Sequence, residues 1–241
     1  MSLWIKICAN TALDDAQVAA DAGADAVGFV FAPSPRRVTP AQVAAIAPHL
    51  PPALEKIGVF VDASFDDIAS AVEIAGLTGV QLHFNAAPEL SAQLRERFGP
   101  NLRILGVVRF DSPTQLPTVG SGENFDREAA YQIAEDGMNF GAPFLDPNND
   151  AVLVDSFSMT TRGGTGQAYD WGLAAVTLFK VTGKSKVAAG GLTPDNVAEA
   201  IATLNPWGVD VVSGVEFAPG RKDPAKVRAF IANARAAAKT S

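Results

Sequence analysis

The sequence predicts an α/β protein of the (β/α)8-barrel class, folded as a single domain over residues 1–241. Two observations lead to this prediction. Short β-rich runs alternate along the chain with segments of helical spacing, and such alternation produces a parallel sheet with right-handed crossovers. Eight such units in 241 residues also have the size of a closed eight-stranded barrel. An open doubly wound sheet is the alternative that this pattern leaves.

The predicted strands are short apolar runs rich in β-branched residues. They are Trp4 to Cys8, Ala26 to Phe31, Lys56 to Val61, Gly79 to His83, Arg103 to Phe110, Ala151 to Asp155, Lys186 to Gly190, and Gly208 to Ser213. The predicted helices are Ala12 to Ala22, Pro40 to Ala47, Phe65 to Ala75, Ala87 to Phe98, Pro194 to Thr203 and Pro224 to Ala238. Three of them begin with a capping side chain before a proline: Thr39-Pro40, Thr193-Pro194 and Asp223-Pro224.

One stretch departs from the alternation. Between Phe110 and Ala151 the chain is rich in glycine, proline and asparagine, and only Asp126 to Glu135 has helical spacing. We therefore predict that the fifth βα unit is expanded by irregular surface segments.

Composition limits the function classes. The formal net charge of −7 argues against a nucleic-acid partner. No apolar run is long enough to span a bilayer, and Met1 to Lys6 lacks a secretion signal. The single cysteine fits a reducing cytoplasm, and two histidines with one cysteine give no metal-ligand spacing. If the ligand is a phosphorylated small molecule, backbone amides and helix N-termini must bind its phosphate, because the overall field repels it.

Cys8 closes the first predicted strand, at the end of the barrel where active sites lie. A lone cysteine is most often a small buried filler. The functional interpretation is a thiolate base or nucleophile, which needs a nearby cation or helix N-terminus to lower its pKa. Strand alternation places Trp4, Lys6 and Cys8 on one face, and a face that holds a lysine suits a barrel interior.

Asp155 closes the sixth predicted strand after an apolar run. It is either a helix cap or ion-pair partner at the strand end, or a general acid whose pKa is raised by an apolar barrel mouth. His83 closes the fourth strand, where polar packing and a place in the pocket are equally consistent with the sequence.

Two glycine-containing turns predict a phosphate site. Gly190 and Gly191 follow the seventh strand, and Ser213 and Gly214 follow the eighth. The loops after these two strands form the usual phosphate cradle of this architecture, although glycine also serves ordinary tight turns. A third glycine-rich segment, Gly163 to Gly166, does not follow a strand directly, and we interpret it as a mobile lid over the pocket.

Taken together, the motifs resemble phosphoribosylanthranilate isomerase. They follow one another from end to end of the chain, apart from the expanded fifth unit. The matching segments are Lys6–Cys8, Gly23–Phe31, Ser34–Val38, Gly58–Val61, Val80–His83, Leu153–Asp155, Gly163–Gly166, Tyr169–Trp171, Gly190–Val197 and Val209–Glu216.

The resemblance implies a cofactor-free Amadori rearrangement of N-(5′-phosphoribosyl)anthranilate. It implies that Asp155 is the general acid and Cys8 the general base, and that Arg36 holds the anthranilate carboxylate. By the same resemblance the phosphate falls at Gly191 and Ser213-Gly214, with Asp210 nearby. Some relatives are monomers and others homodimers, and both states remain open for this chain. His83 and Gly164 belong to matching segments and complete the predicted substrate-binding residues.

Three departures from the family pattern stand close to these positions. Ala9 and Phe84 replace the glycines usual after the cysteine and after the Gln-Leu-His segment, and a lysine often found between Asp155 and Gly163 is absent. Two alternatives follow. One is a related barrel that acts on another sugar phosphate, such as an imidazole-ribotide isomerase, although those barrels typically carry an aspartate at the position of Cys8. The other is a barrel without activity that serves as a pathway binding subunit.

Overall fold

A computed structural model describes residues 2–83, 88–110, 146–156, 171–177, 179 and 184–239. Eight parallel strands form a closed barrel in chain order, with β8 paired to β1. The strands are β1 Trp4–Ile7, β2 Ala26–Val30, β3 Glu55–Val61, β4 Gly79–His83, β5 Arg103–Phe110, β6 Ala151–Ser156, β7 Ser185–Ala188 and β8 Gly208–Val211. The predicted (β/α)8 class is confirmed, and the open-sheet alternative is wrong.

Seven α-helices lie in the described part of the chain. They are α1 Leu13–Asp21, α2 Pro40–Ile46, α3 Phe65–Ala75, α4 Pro88–Phe98, α5 Trp171–Thr177, α6 Val197–Leu204 and α7 Pro224–Ala237. Short 3-10 helices occupy Ala47–His49, Gly99–Asn101 and Ser213–Val215, and a small antiparallel hairpin pairs β9 Glu216–Ala218 with β10 Arg221–Lys222. No helix among the described residues is long and apolar enough to cross a membrane.

Two of the three predicted helix starts are confirmed. Thr39 forms a capping box with Gln42 at the start of α2, and the Asp223 carboxylate accepts hydrogen bonds from the first turn of α7. The third is wrong, because α6 begins at Val197 and not at Pro194. There the Asn196 side chain accepts from the Thr193 amide at 2.7 Å and so forms a turn before the helix.

The core has two layers that follow strand alternation. Side chains that point outward from the strands pack with the helices into one large apolar cluster. A smaller cluster fills the barrel interior and consists of Trp4, Ala26, Ile57, Leu105, Val107, Ala151, Leu153, Val187 and Ala189. This apolar interior cluster contains Trp4 of β1, so the expected inward face of β1 is confirmed. Lys6 and Cys8 share that face.

The irregular fifth unit lies largely outside the described residues. Three predictions concern residues outside the described ranges: the helix Asp126 to Glu135, the glycine-rich segment Gly163 to Gly166, and Phe84. The segment just before β6 is described, and the Asp150 side chain accepts from the Ile104 amide at 2.7 Å.

Candidate active site at the carboxyl ends of the strands

The Cys8 thiol lies inside the barrel, directly after β1. A Cβ atom added to Gly28 of β2 would clash with the Cys8 sulfur and would stand 3.0 Å from Cε of Lys6. Glycine at position 28 therefore leaves the space that the thiol and the lysine stem occupy side by side. Cys8 is 3% exposed, so little solvent can screen its thiol from the charge of Lys6.

Lys6 is a fully buried ammonium with two partners from other strands. Its Nζ lies 3.0 Å from Oδ1 of Asp210 on β8 and donates to Oε1 of Gln81 on β4 at 2.6 Å. A buried charge is tolerated only when it is paired and hydrogen-bonded, and both conditions hold here. Lys6 and Asp210 are register partners on neighbouring strands, whereas the bond from Lys6 to Gln81 of β4 crosses the barrel interior.

This environment sets the pKa of the thiol. Burial raises the pKa of Cys8, and the Asp210 carboxylate adds to the rise, while Lys6 and Lys222 oppose it. The net direction is upward, so the expectation of a lowered pKa is wrong in this structure. Burial is the largest single influence and lowers the pKa of Lys6, yet the charges and hydrogen bonds of Asp210 and Cys8 together outweigh it and raise that pKa. Lys6 is thus a fixed cation beside the thiol.

Gln81 connects the same lysine to His83. Because Oε1 of Gln81 accepts from Lys6, its amide nitrogen is the atom that faces Nε2 of His83 at 2.8 Å. Nε2 of His83, which closes β4, is therefore engaged by Gln81.

Arg36 lies beyond β2 and is held by the hairpin beyond β8. Its Nε donates to Oε1 of Glu216 at 3.0 Å, and its Nη2 donates to Oε2 at 2.7 Å. Glu216 also accepts hydrogen bonds from Nζ of Lys222 at 3.2 Å and from the Gly220 amide at 3.1 Å. Arg36 keeps 15% of its side chain exposed, whereas Lys222 has none. One buried carboxylate thus binds two cations.

The pKa directions in this group agree with its geometry. Burial alone would raise the pKa of Glu216, but hydrogen bonds from Arg36 and the charge of Lys222 bring it below its ordinary value. Burial lowers the pKa of Lys222, and Glu216 only partly offsets that effect. Glu216 is therefore ionised at neutral pH.

The two predicted phosphate turns touch each other. A Cβ atom added to Gly214 would clash with the carbonyl oxygen of Leu192, so only glycine permits this contact between the turns. Gly190 and Gly191 both adopt positive φ, at 81° and 65°. Ser213 and Gly214 begin a 3-10 helix, and N–H groups at a helix start lack intrahelical partners.

Asp155 lies at the end of β6 and is partly exposed. Its register partner is Arg109 on β5. It has the same strand parity as Leu153 of the apolar interior cluster, so it shares the inward face with Cys8. β1 and β6 are separated by β7 and β8 around the barrel, which places the two residues across the mouth from each other. Gly164 lies outside the described residues.

The structure adds residues that the sequence analysis did not single out. Gln81, Glu216 and Lys222 sit among the predicted site residues, and all three are buried. Gln81 was recoverable, because it lies two residues before His83 on the inward face of β4. Lys222 carried no such signal, because its position depends on the hairpin that follows β8. Among the described residues, no group of three His, Cys, Asp or Glu side chains could hold a metal ion.

Comparison with known proteins gives one consistent result. The sequence model described as N-(5'phosphoribosyl)anthranilate (PRA) isomerase matches residues 5–141 and 132–233. The N-(5'-phosphoribosyl)anthranilate isomerase of Pelobacter propionicus is 41% identical over 228 residues, which cover 94% of this chain and 93% of that protein.

Solved structures agree with the sequence matches. Phosphoribosyl anthranilate isomerase from Thermotoga maritima superposes with a TM-score of 0.74 at 33% identity, over 97% of this chain and 99% of that one. A second solved isomerase, in complex with reduced 1-(o-carboxyphenylamino)-1-deoxyribulose 5-phosphate, superposes with a TM-score of 0.70 at 31% identity, again over 97% and 99%. The chain therefore belongs to the N-(5'-phosphoribosyl)anthranilate isomerase family.

Proposed function

We propose that this chain isomerises N-(5′-phosphoribosyl)anthranilate to 1-(2-carboxyphenylamino)-1-deoxyribulose 5-phosphate. Family membership supports the reaction. The observation that carries the proposal to this chain is the placement of Cys8 and Asp155. One is a buried thiol beside a fixed cation and the other a carboxyl group, and they lie on the inward face at opposite sides of one barrel mouth.

Asp155 acts first in this proposal. It donates a proton to the ribose ring oxygen while the lone pair of the anthranilate nitrogen forms a double bond to C1′. The bond between C1′ and the ring oxygen breaks, and the ring opens to a cationic Schiff base. Proton donation to a leaving oxygen is the usual role of a carboxyl group in such a site.

Cys8 then removes the proton from C2′. The electrons of that C–H bond form a C1′–C2′ double bond and neutralise the Schiff base, which gives an enol-amine. This enol becomes the ketone of the product as C1′ gains the proton held by Cys8 and the C2′ hydroxyl loses its proton to Asp155, which returns both residues to their starting states. The raised pKa of the thiol is compatible with this step, because a cationic Schiff base beside the thiol favours the thiolate.

The remaining residues bind the ends of the substrate. Arg36 takes the anthranilate carboxylate, and the amides of Gly191, Ser213 and Gly214 take the phosphate. Gly190 provides the positive φ that the turn after β7 needs. The paired side chains of Lys6 and Asp210 line the barrel interior next to Cys8. Backbone amides suit a phosphate in a protein of net charge −7, because they bind an anion without added cations.

The test is the disappearance of anthranilate-type fluorescence when purified protein meets freshly made phosphoribosylanthranilate, scored against Cys8→Ser and Asp155→Asn. We expect turnover by the wild type and its near-complete loss in both variants. No turnover by a folded wild type would leave the chain as a binding subunit. Turnover of an imidazole ribotide instead would identify the other barrel enzyme.

A further inference from the structure

We propose that Glu216 and Lys222 are specificity-determining positioning residues: together they present one edge of the Arg36 guanidinium to an aromatic carboxylate. The inference rests on the proposed function, and it extends that function to two residues of the β9–β10 hairpin. Arg36, Glu216 and Lys222 are called the carboxylate triad below.

The first argument is geometric. A guanidinium offers two forked edges to carboxylates, one formed by Nε and an Nη, the other by its two Nη atoms. Glu216 occupies the first edge, with Nε–Oε1 at 3.0 Å and Nη2–Oε2 at 2.7 Å. No described residue forms a hydrogen bond with Nη1, so within the described part of the chain the edge formed by the two Nη atoms is open to a ligand. Glu216 thereby fixes the plane of the guanidinium and the direction from which a second carboxylate can approach.

The second argument concerns charge. Arg36 and Glu216 alone sum to zero, and repulsion from Glu216 would offset part of the attraction that Arg36 exerts on a second carboxylate. Lys222 as an ammonium adds one positive charge, and the Glu216 carboxylate, whose Oε1 lies 3.2 Å from its Nζ, favours this charged form against burial. The same Nζ also donates to the Val212 carbonyl at 3.3 Å. The carboxylate triad is therefore a net cation. A fully buried ammonium is costly to maintain, so a role in ligand charge balance explains its presence better than stability does.

The third argument is attachment. Glu216 and Lys222 belong to the two strands of one hairpin, and that hairpin is tied to the loop after β1. Thr11 donates to the Gly220 carbonyl at 2.6 Å, and Gly220 in turn donates its amide to Glu216. The triad is thus held by loops after three different strands, which is the preorganisation that a selective carboxylate site needs.

The experiment measures the binding of two ligands to the full-length protein. One is reduced 1-(o-carboxyphenylamino)-1-deoxyribulose 5-phosphate, and the other is the same molecule without the ring carboxylate. Lys222→Met should weaken binding of the first about tenfold or more and change the second little. Adding Glu216→Gln to Lys222→Met removes the neutralising charge while the amide oxygen can still accept from Arg36, so the double variant should recover most of the lost affinity.

Arg221→Met is the matched control. It removes one positive charge from the same hairpin, where Arg221 pairs with Asp15 and is 54% exposed. It should leave both affinities unchanged. If Lys222→Met fails to fold by circular dichroism, Glu216→Asp shortens the side chain and withdraws its carboxylate from Arg36, and it should give the same selective loss.

The outcomes separate the two proposals. Equal weakening of both ligands by Lys222→Met, or a double variant weaker than Lys222→Met alone, would overturn the role of the triad and leave the reaction standing. A folded wild type that neither converts phosphoribosylanthranilate nor binds the carboxylate ligand would overturn the proposed function itself.

Discussion

The interior of this barrel contains two contrasting regions. The apolar interior cluster is closed at the amino-terminal end of β1 by Trp4, which stacks on Trp207 with ring centroids 5.2 Å apart. Toward the carboxyl ends of the strands, the inward-facing side chains are instead polar and buried: Lys6, Asp210 and Gln81. Apolar contacts need no particular partner, whereas each buried charge needs a specific one. The first region therefore contributes stability, and the second sacrifices some stability for chemistry.

The largest expected effect comes from substitutions at the carboxyl ends of the strands, where the proposed acid and base lie. Cys8→Ser replaces the base by a hydroxyl that stays protonated, and Asp155→Asn removes the acidic proton while keeping the shape. Each should lower kcat by roughly 10²–10⁴-fold. The free energy of unfolding, measured in urea, should change little in either variant. Near-wild-type kcat in Cys8→Ser would show that the thiol is only a packing group.

The apolar interior cluster should respond in the opposite way. Leu105→Ala removes a side chain with no exposure and should lower the free energy of unfolding by about 2–5 kcal/mol. The kcat of the fraction that remains folded should be nearly unchanged. The control Ile74→Ala alters an apolar residue that is 54% exposed, and it should change stability by less than about 0.5 kcal/mol. A large loss of kcat in Leu105→Ala would show that the two regions are coupled.

Arg36→Ala tests substrate recognition at the rim. Loss of a charged hydrogen bond to the anthranilate carboxylate should raise KM by an amount worth about 1.5–3 kcal/mol. The kcat should fall much less, because Arg36 does not exchange protons with the substrate. An unchanged KM from steady-state fluorescence assays would move the carboxylate site to Arg37 or Arg109.

A pH profile separates the influences on the thiol. A base must be deprotonated to act, so a raised pKa of Cys8 moves the acidic limb of kcat/KM to higher pH. Asp210→Asn removes a charge that raises this pKa, so the limb should move to lower pH. Lys6→Met removes a charge that lowers it, and the limb should move to higher pH. Shifts in the same direction in both variants would contradict the electrostatic account.

The smallest effect concerns a backbone position between the two regions. Ala9 follows the thiol with φ of 62°, which is unfavourable for a residue with a Cβ. Ala9→Gly should raise the free energy of unfolding by less than about 1 kcal/mol, because relief of strain exceeds the added entropy of the unfolded chain. Ala16→Gly, inside α1, should lower it by about 1 kcal/mol. Thermal melts that show Ala9→Gly less stable would mean that the buried methyl group matters more than the strain.

Residues with a local signature were the ones recoverable from sequence. Thr39 and Asp223 precede prolines, and both cap the helices as predicted. Thr193 has the same signature and fails, because Asn196 uses its side chain to form a turn first. Strand periodicity correctly placed Lys6 and Cys8 on the inward face, since alternation is local. The sequence shows that Ala9 stands where the family usually has glycine, but its effect on stability depends on φ, which only the structure gives.

The sequence by itself determined the alternation of eight strands with helices, the inward face of β1, and the motifs that identify the family. Only the tertiary structure decided which buried charges meet. Lys6, Gln81 and Asp210 come from three strands, and their pairing exists only once the barrel closes. Lys222 reaches Glu216, and Glu216 reaches Arg36 across 180 residues of sequence. No local pattern encodes such contacts, because a charge has no preference for a partner until folding excludes water around it.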